Sequence, residues 1–402
     1  MRDRQAILRR ACVVEGFEDN ERMNMLQPDS VHPARMLFAR MDKVRQRQGA
    51  LLDAAGFGPE ETPWRSVHAE AGVRLRQYGE ASAEGPVLFI VPAPIKRPYI
   101  WDLAPEVSVV RRCLAQGMRV YLVEWTPCAK ADVGLADYGD RLLKLCFDAI
   151  AADSGEGEVI LAGHSLGGVL ATLFACLYPQ RVRALLLLET PLHFGPEAGD
   201  FAPLVAATAD ASLVAHAFGT VPGSFLSFVS TAAAPHAFQW QRCIDWWLSA
   251  AHPDALATHM RVERWACDEF PLPGRLFAEI LEWLYRDDRL MKGNLLLGSR
   301  PIGPRDLRAP LLNVIDPRST IIPPQSILPF HDAAASTAKK VLRYEGDIGV
   351  GIQHVGALVG SRAHARLWPA IFDWLMTAGA MRRGKDRTAG RAIPSRFQGQ
   401  HS

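Results

Sequence analysis

Ser165 is the residue from which chemistry can be argued first. It sits in Gly163-His164-Ser165-Leu166-Gly167, behind the apolar, β-prone Val159-Ile160-Leu161-Ala162 and ahead of the helix-compatible Val169-Leu170-Ala171-Thr172-Leu173-Phe174-Ala175. A strand that passes through G-x-S-x-G straight into a helix is a nucleophile elbow, with the serine in a strained turn and its Oγ at the top of the sheet. The glycines two before and two after the serine are required because strand and helix come too close for a Cβ. The N-terminus of the following helix offers free N–H groups to an anion. The expected chemistry is attack of Ser165 on a carbonyl carbon, through an acyl-enzyme.

A serine hydroxyl becomes nucleophilic beside a base that takes its proton, and the base needs a carboxylate to hold its tautomer. Where an elbow is carried by a sheet of this kind, the chain order is Ser, acid, His, with the His beyond the last strand. His354, in Gly349-Val350-Gly351-Ile352-Gln353-His354-Val355-Gly356, follows the strand-like Val341-Leu342-Arg343-Tyr344 and meets that demand. Asp316 comes directly after Leu312-Asn313-Val314-Ile315, at a strand end, and is the expected acid. Glu189, which ends the strand after the elbow, is the alternative. One oxyanion donor is the backbone N–H of Leu166. The second belongs to Pro92-Ala93-Pro94-Ile95, where the prolines have no N–H and only Ala93 or Ile95 can donate.

The elements that must position these residues read as alternating strands and helices. Trp64 to Tyr78 alternates around Ala71-Gly72, as an opening hairpin does. Val87–Val91, Arg119–Val123, the elbow strand and Arg183–Leu188 are apolar runs, with helices near Ser108–Gln116 and Tyr138–Ala152 between them. This spacing implies right-handed βαβ units in a mostly parallel sheet flanked by helices. From about Pro191 to Arg300 the alternation stops, and the chain becomes helical with Trp240, Trp246, Trp247, Trp265 and Trp283. That stretch reads as a helical cap over the carboxyl ends of the strands, where ligands bind in open α/β sheets. Its tryptophans are expected mostly in the cap core, a minority lining an apolar channel. The organisation is therefore an N-terminal helical segment over 1–60, a core over 61–190 and 301–380, a cap over 191–300, and a basic tail over 381–402 expected to be disordered. Within the first segment Ala34–Met41 is the clearest amphipathic piece, read as docking on the core.

With 402 residues, 49% of them hydrophobic, the chain can bury a large core. Its 45 basic and 43 acidic residues nearly balance at +2, which gives no reason to expect a nucleic-acid partner. The seven cysteines are odd in number and show no C-x-x-C pair, so free thiols in a reducing cytoplasm are expected. Met1-Arg2-Asp3-Arg4 opens without the apolar region of a signal peptide, and no apolar stretch of about 18 residues suggests a membrane span. The histidines at 164, 193, 216, 236, 252 and 259 lack zinc spacing, and the elbow lacks the lysine of a phosphate loop, so neither a metal nor a cofactor is expected. His164 is expected to pack beneath the elbow.

Several further runs carry a resemblance. Pro98-Tyr99-Ile100-Trp101-Asp102-Leu103, Gln116-Gly117-Met118-Arg119-Val120-Tyr121, Glu189-Thr190-Pro191-Leu192-His193-Phe194, Glu263-Arg264-Trp265, Leu290-Met291-Lys292-Gly293 and Asp306–Asn313 with Ile321-Ile322-Pro323-Pro324 beyond are similar to the polyhydroxyalkanoate synthase family, especially its shorter two-component members. The resemblance covers roughly residues 60–375 and implies an α/β-hydrolase fold and acyl transfer from thioesters. Three positions depart from the family. Its nucleophilic cysteine is here Ser165; its catalytic aspartate falls at Ser319 rather than Asp316 in an ungapped alignment; and the aspartate of its Thr-Pro-x-Asp-Phe stretch is here His193. The histidine of its Gly-His-Ile-Gly is kept as His354. A serine ester is a poorer leaving group than a thioester and is more often resolved by water or an alcohol. The reading is therefore a serine hydrolase or acyltransferase on 3-hydroxyacyl esters, acyl-CoA thioesters or oligomers. The alternatives are a polymerising synthase and a non-catalytic relative that binds polymer or a synthase. A homodimer or a synthase-type partner subunit is left open.

Overall fold

The computed structural model describes residues 33–80, 84–128, 132–208 and 210–377, so the expected tail and the first half of the N-terminal segment lie outside the described residues. Helix α1 (Pro33–Ala54) leads into the hairpin of β1 (Trp64–Glu70) and β2 (Val73–Tyr78), which turns at Gly72 with φ 100°. Strands β3 (Val87–Val91), β4 (Arg119–Trp125), β5 (Val159–His164) and β6 (Val182–Leu188) follow. The cap contributes two small antiparallel pairs, β7 (Thr220–Val221) with β8 (Leu272–Pro273) and β9 (Leu295–Leu297) with β10 (Arg300–Ile302). Strands β11 (Leu311–Ile315) and β12 (Lys339–Arg343) complete an eight-stranded sheet in the order 1-2-4-3-5-6-11-12. Within this sheet β1 pairs antiparallel with β2 and β2 with β4, and the strands from β4 through β3, β5, β6 and β11 to β12 pair in parallel. The expected fold class is the one observed.

The continuous apolar strands are explained by cover on both faces of the sheet. Along β3, Val87, Phe89 and Val91 enter one apolar cluster while Leu88 and Ile90 enter the other. The first cluster is filled by α3 (Leu142–Ser154) and the elbow helix α4 (Leu166–Leu177). The second is filled by α2 (Val109–Ala115), which Ser108 caps at its N-terminus, and by Trp368, Ile371 and Phe372 near the C-terminal end.

Between β6 and β11 the cap carries α5 (Phe201–Ala207), α6 (Ala211–Phe218), α7 (Gly223–Ala233), α8 (Gln241–Ser249) and α9 (Pro253–Ala266). Helix α1 docks on this cap and not on the sheet core. Phe38 packs edge-on to Phe218 and Phe225 at 5.9 and 5.2 Å between ring centroids, Ser224 N–H donates to Asp42 at 2.8 Å, and Arg45 pairs with Glu269 at 2.6 Å. The cap tryptophans also depart from expectation. Trp265 is buried, its indole donating to Arg97 O at 2.9 Å, but Trp240, Trp246 and Trp247 are 66%, 41% and 68% exposed. Helix α8 turns its polar Asp245 and Ser249 inward, where loop backbone presents N–H groups that donate to Asp245. Its aromatic residues are left on the outside. Among the described residues no single helix is long and apolar enough to cross a membrane.

Candidate active site

Strand β5 and helix α4 meet at Ser165, which adopts φ 53°, ψ −130°. A non-glycine residue there is strained and persists only where its surroundings over-determine it. They do so here. Ser165 N–H donates to Leu188 O at 3.1 Å, and the N–H groups of Gly168 and Val169 donate to Ser165 O at 2.9 and 3.2 Å. A Cβ on Gly163 would lie 2.5 Å from Gly168 Cα, and one on Gly167 would lie 2.2 Å from Val91 O and 2.7 Å from Ala93 N. Both glycines thus have the role anticipated. The approach at Gly167 also brings the loop after β3 against the start of α4, with Ala93 N beside the elbow. Trp125 fixes that loop by donating to Pro92 O at 2.8 Å, and Ile95 O accepts from Phe270 N at 3.0 Å, which ties the loop to the cap.

His354 lies in a one-turn 3₁₀ segment, Gln353–Val355. Its Nδ1 is 3.2 Å from Glu189 Oε2, and its backbone carbonyl accepts from His164 Nε2 at 2.7 Å, with the two rings 4.5 Å apart. His164 therefore does more than pack beneath the elbow: it ties the His354 turn to the residue before Ser165. Burial pulls His164 down to about 3, so the ring is neutral and its single N–H is the one bonded to the carbonyl. Burial likewise pulls His354 down to about 4, which leaves the imidazole neutral near neutral pH, with one ring nitrogen a donor and the other an acceptor.

Of the two candidate acids, Glu189 is the one brought to His354. It ends β6 in a left-handed backbone conformation, φ 40°, with its N–H bonded to Val314 O at 2.9 Å. Its side chain is fully buried, and Oε1 has no hydrogen-bond partner. Burial first, and the nearby Asp316 carboxylate second, push the Glu189 carboxyl well above the usual carboxylate range, with Arg318 opposing them. Asp316 stands at the end of β11 as expected, but its carboxylate accepts from Arg318 N, Nε and Nη2 at 2.9, 3.2 and 3.3 Å. It closes its own turn instead of meeting His354. Ser319, which takes the family's aspartate position in the ungapped alignment, accepts from Ile322 N–H at 3.1 Å.

Glu189, Asp316 and His354 line a cavity of about 240 Å³ together with Gln241, Ile244 and Leu248 of the cap. The loop that delivers His354 is glycine-hinged, with Gly346, Gly349 and Gly351 at φ 85°, 81° and 65°. Behind it, Asp347 accepts from the N–H groups of Arg362 and Ala363 at 2.8 and 3.1 Å. In front, Asp245 of α8 accepts from Gly349 N and Gly351 N at 2.9 and 2.8 Å. Neither aspartate was identified from the sequence, because nothing local distinguishes it. Among the described residues no group of three or more His, Cys, Asp or Glu is placed to hold a metal ion.

Known proteins give an independent view. A sequence profile of the α/β hydrolase fold matches residues 100–244. The poly(3-hydroxyalkanoate) polymerase subunit PhaC of Haloferax mediterranei is 31% identical over 324 residues, 78% of this chain and 64% of that one. The subunit of the same name from Allochromatium vinosum is 26% identical over 356 residues, 87% of this chain and 98% of that one. The chain thus spans just under two thirds of the first relative, at 64%, and nearly all of the second. A solved structure, the monoacylglycerol lipase of Paleococcus ferrophilus, superposes with a TM-score of 0.50 at 15% identity, over 76% of this chain and 99% of that one, a likeness of fold alone. The strand order, the elbow and these similarities converge: the chain has an α/β-hydrolase fold and is similar in sequence to poly(3-hydroxyalkanoate) polymerase subunits over most of its length.

Proposed function

We propose that this protein is an acyl-transferring enzyme that works through Ser165, His354 and Glu189 on ester or thioester carbonyls. Ser165 Oγ bonds to the carbonyl carbon as its proton passes to His354 Nε2. The oxyanion is held by Leu166 N–H, at the start of α4, and by Ala93 N–H. Ala93 is preferred to Ile95 because its nitrogen lies beside Gly167. Collapse breaks the bond to the alcohol or thiol, which leaves with the proton from His354, and an acyl-Ser165 ester remains. Water or a hydroxyl acceptor then repeats the sequence in reverse order of proton movement. Glu189 receives Nδ1–H of His354, presents Nε2 to the serine, and stabilises the imidazolium formed in each step.

The observation that supports this reading is one series of contacts: Glu189 to His354, His354 to His164, and His164 next to a serine in elbow conformation. The acyl donors in view are 3-hydroxyacyl esters and acyl-CoA thioesters. Repeated transfer to a growing hydroxyacyl chain is the second reading, favoured by the names of the relatives. A fluorophosphonate probe tests the first step. Labelling of wild type that disappears in Ser165→Ala and His354→Ala supports it; failure to label a folded, accessible wild type defeats it. CoA release from 3-hydroxyacyl-CoA, with and without polymer recovered, then separates single transfer from polymerisation.

A further inference from the structure

The loop that carries His354 is held by the cap, through one buried carboxylate. Asp245 of α8 is 4% exposed and receives three hydrogen bonds: Gly349 N–H at 2.9 Å, Gly351 N–H at 2.8 Å and His259 Nδ1–H at 2.7 Å. Gly349 and Gly351 are both left-handed, at φ 81° and 65°, the backbone shape that lets two nearby N–H groups point at one anion. A side chain on Gly349 would meet Ala255 O at 2.6 Å, and one on Gly351 would meet Val262 Cγ1 at 3.2 Å, so α9 closes over the same stretch. His259 belongs to α9 and is itself buried; its Nε2 lies 3.6 Å from Glu263 Oε1, and Arg242 of α8 grips Glu263 from the other side. These four side chains join two cap helices to a loop that lies about 100 residues further along the chain. Three residues beyond Gly351 stands His354.

Helix α8 also has a second inward contact. Ile244 and Leu248 flank Asp245 on the same helix and line the cavity shared with Glu189 and His354.

We infer that Asp245 is a positioning residue for His354: the cap, through Asp245 and its partner His259, sets the geometry of the base, and displacement of α8 uncouples the base from Ser165. The inference rests on the assignment of His354 as the base. Gly349 and Gly351 have no side chains with which to fix themselves, so the carboxylate supplies the order that their backbone freedom removes. A shift of about 1 Å in a catalytic group is enough to lower turnover on the order of 10²-fold.

The test uses the full-length chain and two readouts. Amide hydrogen exchange over residues 346–356 reports the loop, whatever the chemistry. The rate of fluorophosphonate labelling and the hydrolysis of a short p-nitrophenyl ester report His354. Asp245→Ala is expected to expose the loop to exchange and to lower labelling and kcat on the order of 10²-fold, with KM for the small ester nearly unchanged. Asp245→Asn, which keeps an acceptor oxygen, is expected to fall between. His259→Ala is expected to follow Asp245→Ala in part, and His259→Asn, which keeps an N–H near the same place, to recover towards wild type. Thermal unfolding of each variant identifies those that remain folded. Folded Asp245 variants with wild-type labelling and unchanged loop exchange would overturn the inference. Loss of loop protection without any wild-type labelling would leave the latch standing and remove the serine-enzyme reading instead, so the two failures are distinct.

Discussion

The two halves of the candidate site are built by different means. At the elbow, Ser165 is held by backbone bonds from its own helix and from the adjoining strand, and by glycines within five positions of one another. At the base, His354 is held by side chains and carbonyls from far along the chain: Glu189 is 165 residues away, His164 is 190, and Asp245 reaches the same loop from more than 100. The elbow is therefore a rigid part of the sheet, and it carries its strain where strand and helix approach too closely for a Cβ. The base end is an assembly of β6, β5 and the cap. Its geometry follows the position of α8. On the mechanism proposed above, a serine built into the core and a histidine suspended between core and cap can be separated without unfolding either.

This contrast can be broken at each end, and the largest effect belongs to the elbow. Ser165→Ala removes the atom that forms the new bond, and labelling and turnover are expected to fall by about 10⁴-fold or more, with unfolding temperature barely altered. Glu189→Gln leaves the fold of the pocket but no longer favours Nδ1–H of His354. The expected loss in turnover is on the order of 10⁴-fold. The same change at Asp316 should leave most activity, and steady-state kinetics on both variants decides which acid serves the base.

A smaller effect, read on the pH axis, sharpens the base end. The proposed mechanism requires Glu189 ionised, so kcat/KM should rise as pH climbs through the Glu189 titration, which burial and Asp316 place above the ordinary carboxylate range. Asp316→Asn removes a negative neighbour, lowers the Glu189 pKa and moves that limb to lower pH. Arg318→Gln removes a positive one and moves it to higher pH. Limbs that fail to move in opposite directions would show that Glu189 does not control the profile.

Two stability changes complete the comparison. Gly167→Ala drives a methyl into Val91 O at 2.2 Å, in a place with no room to relax, and is expected to cost about 1–3 kcal/mol in chemical denaturation. Trp247→Ser, on the outer face of α8, removes an exposed ring, so stability should stay within about 0.5 kcal/mol and kcat unchanged. A large loss of turnover in that variant would mean that the outer face of the cap is also coupled to the base.

Much of the architecture could be read from the residues in order. The apolar runs at Val87–Val91, Val159–His164 and Leu311–Ile315 are parallel strands covered on both faces, and the turn at Gly72 closes the hairpin announced by its flanking alternation. The elbow glycines could be read because the steric demand they meet is local. The cap was legible as helical, but not in its packing. Trp240, Trp246 and Trp247 look like core residues by type, and they lie outside because α8 gives its inner face to Asp245. The amphipathic pattern of α1 points to docking on the core; aromatic contacts and ion pairs place it on the cap.

By itself, the sequence determined the elbow that carries Ser165, the glycine-rich loop of His354 and the sheet behind them, because a strand's period, a glycine's missing Cβ and a serine between strand and helix act over a few residues. Only the tertiary structure decided which carboxylate meets His354 and what holds its loop. Asp316 and Glu189 both end neighbouring parallel strands, and both face the same cavity. The difference lies in Arg318, two residues beyond Asp316, which occupies that carboxylate, while Glu189 is left buried with His354 as its side-chain partner. Such a choice depends on directions in space between segments far apart in the chain, and no spacing along the chain encodes it.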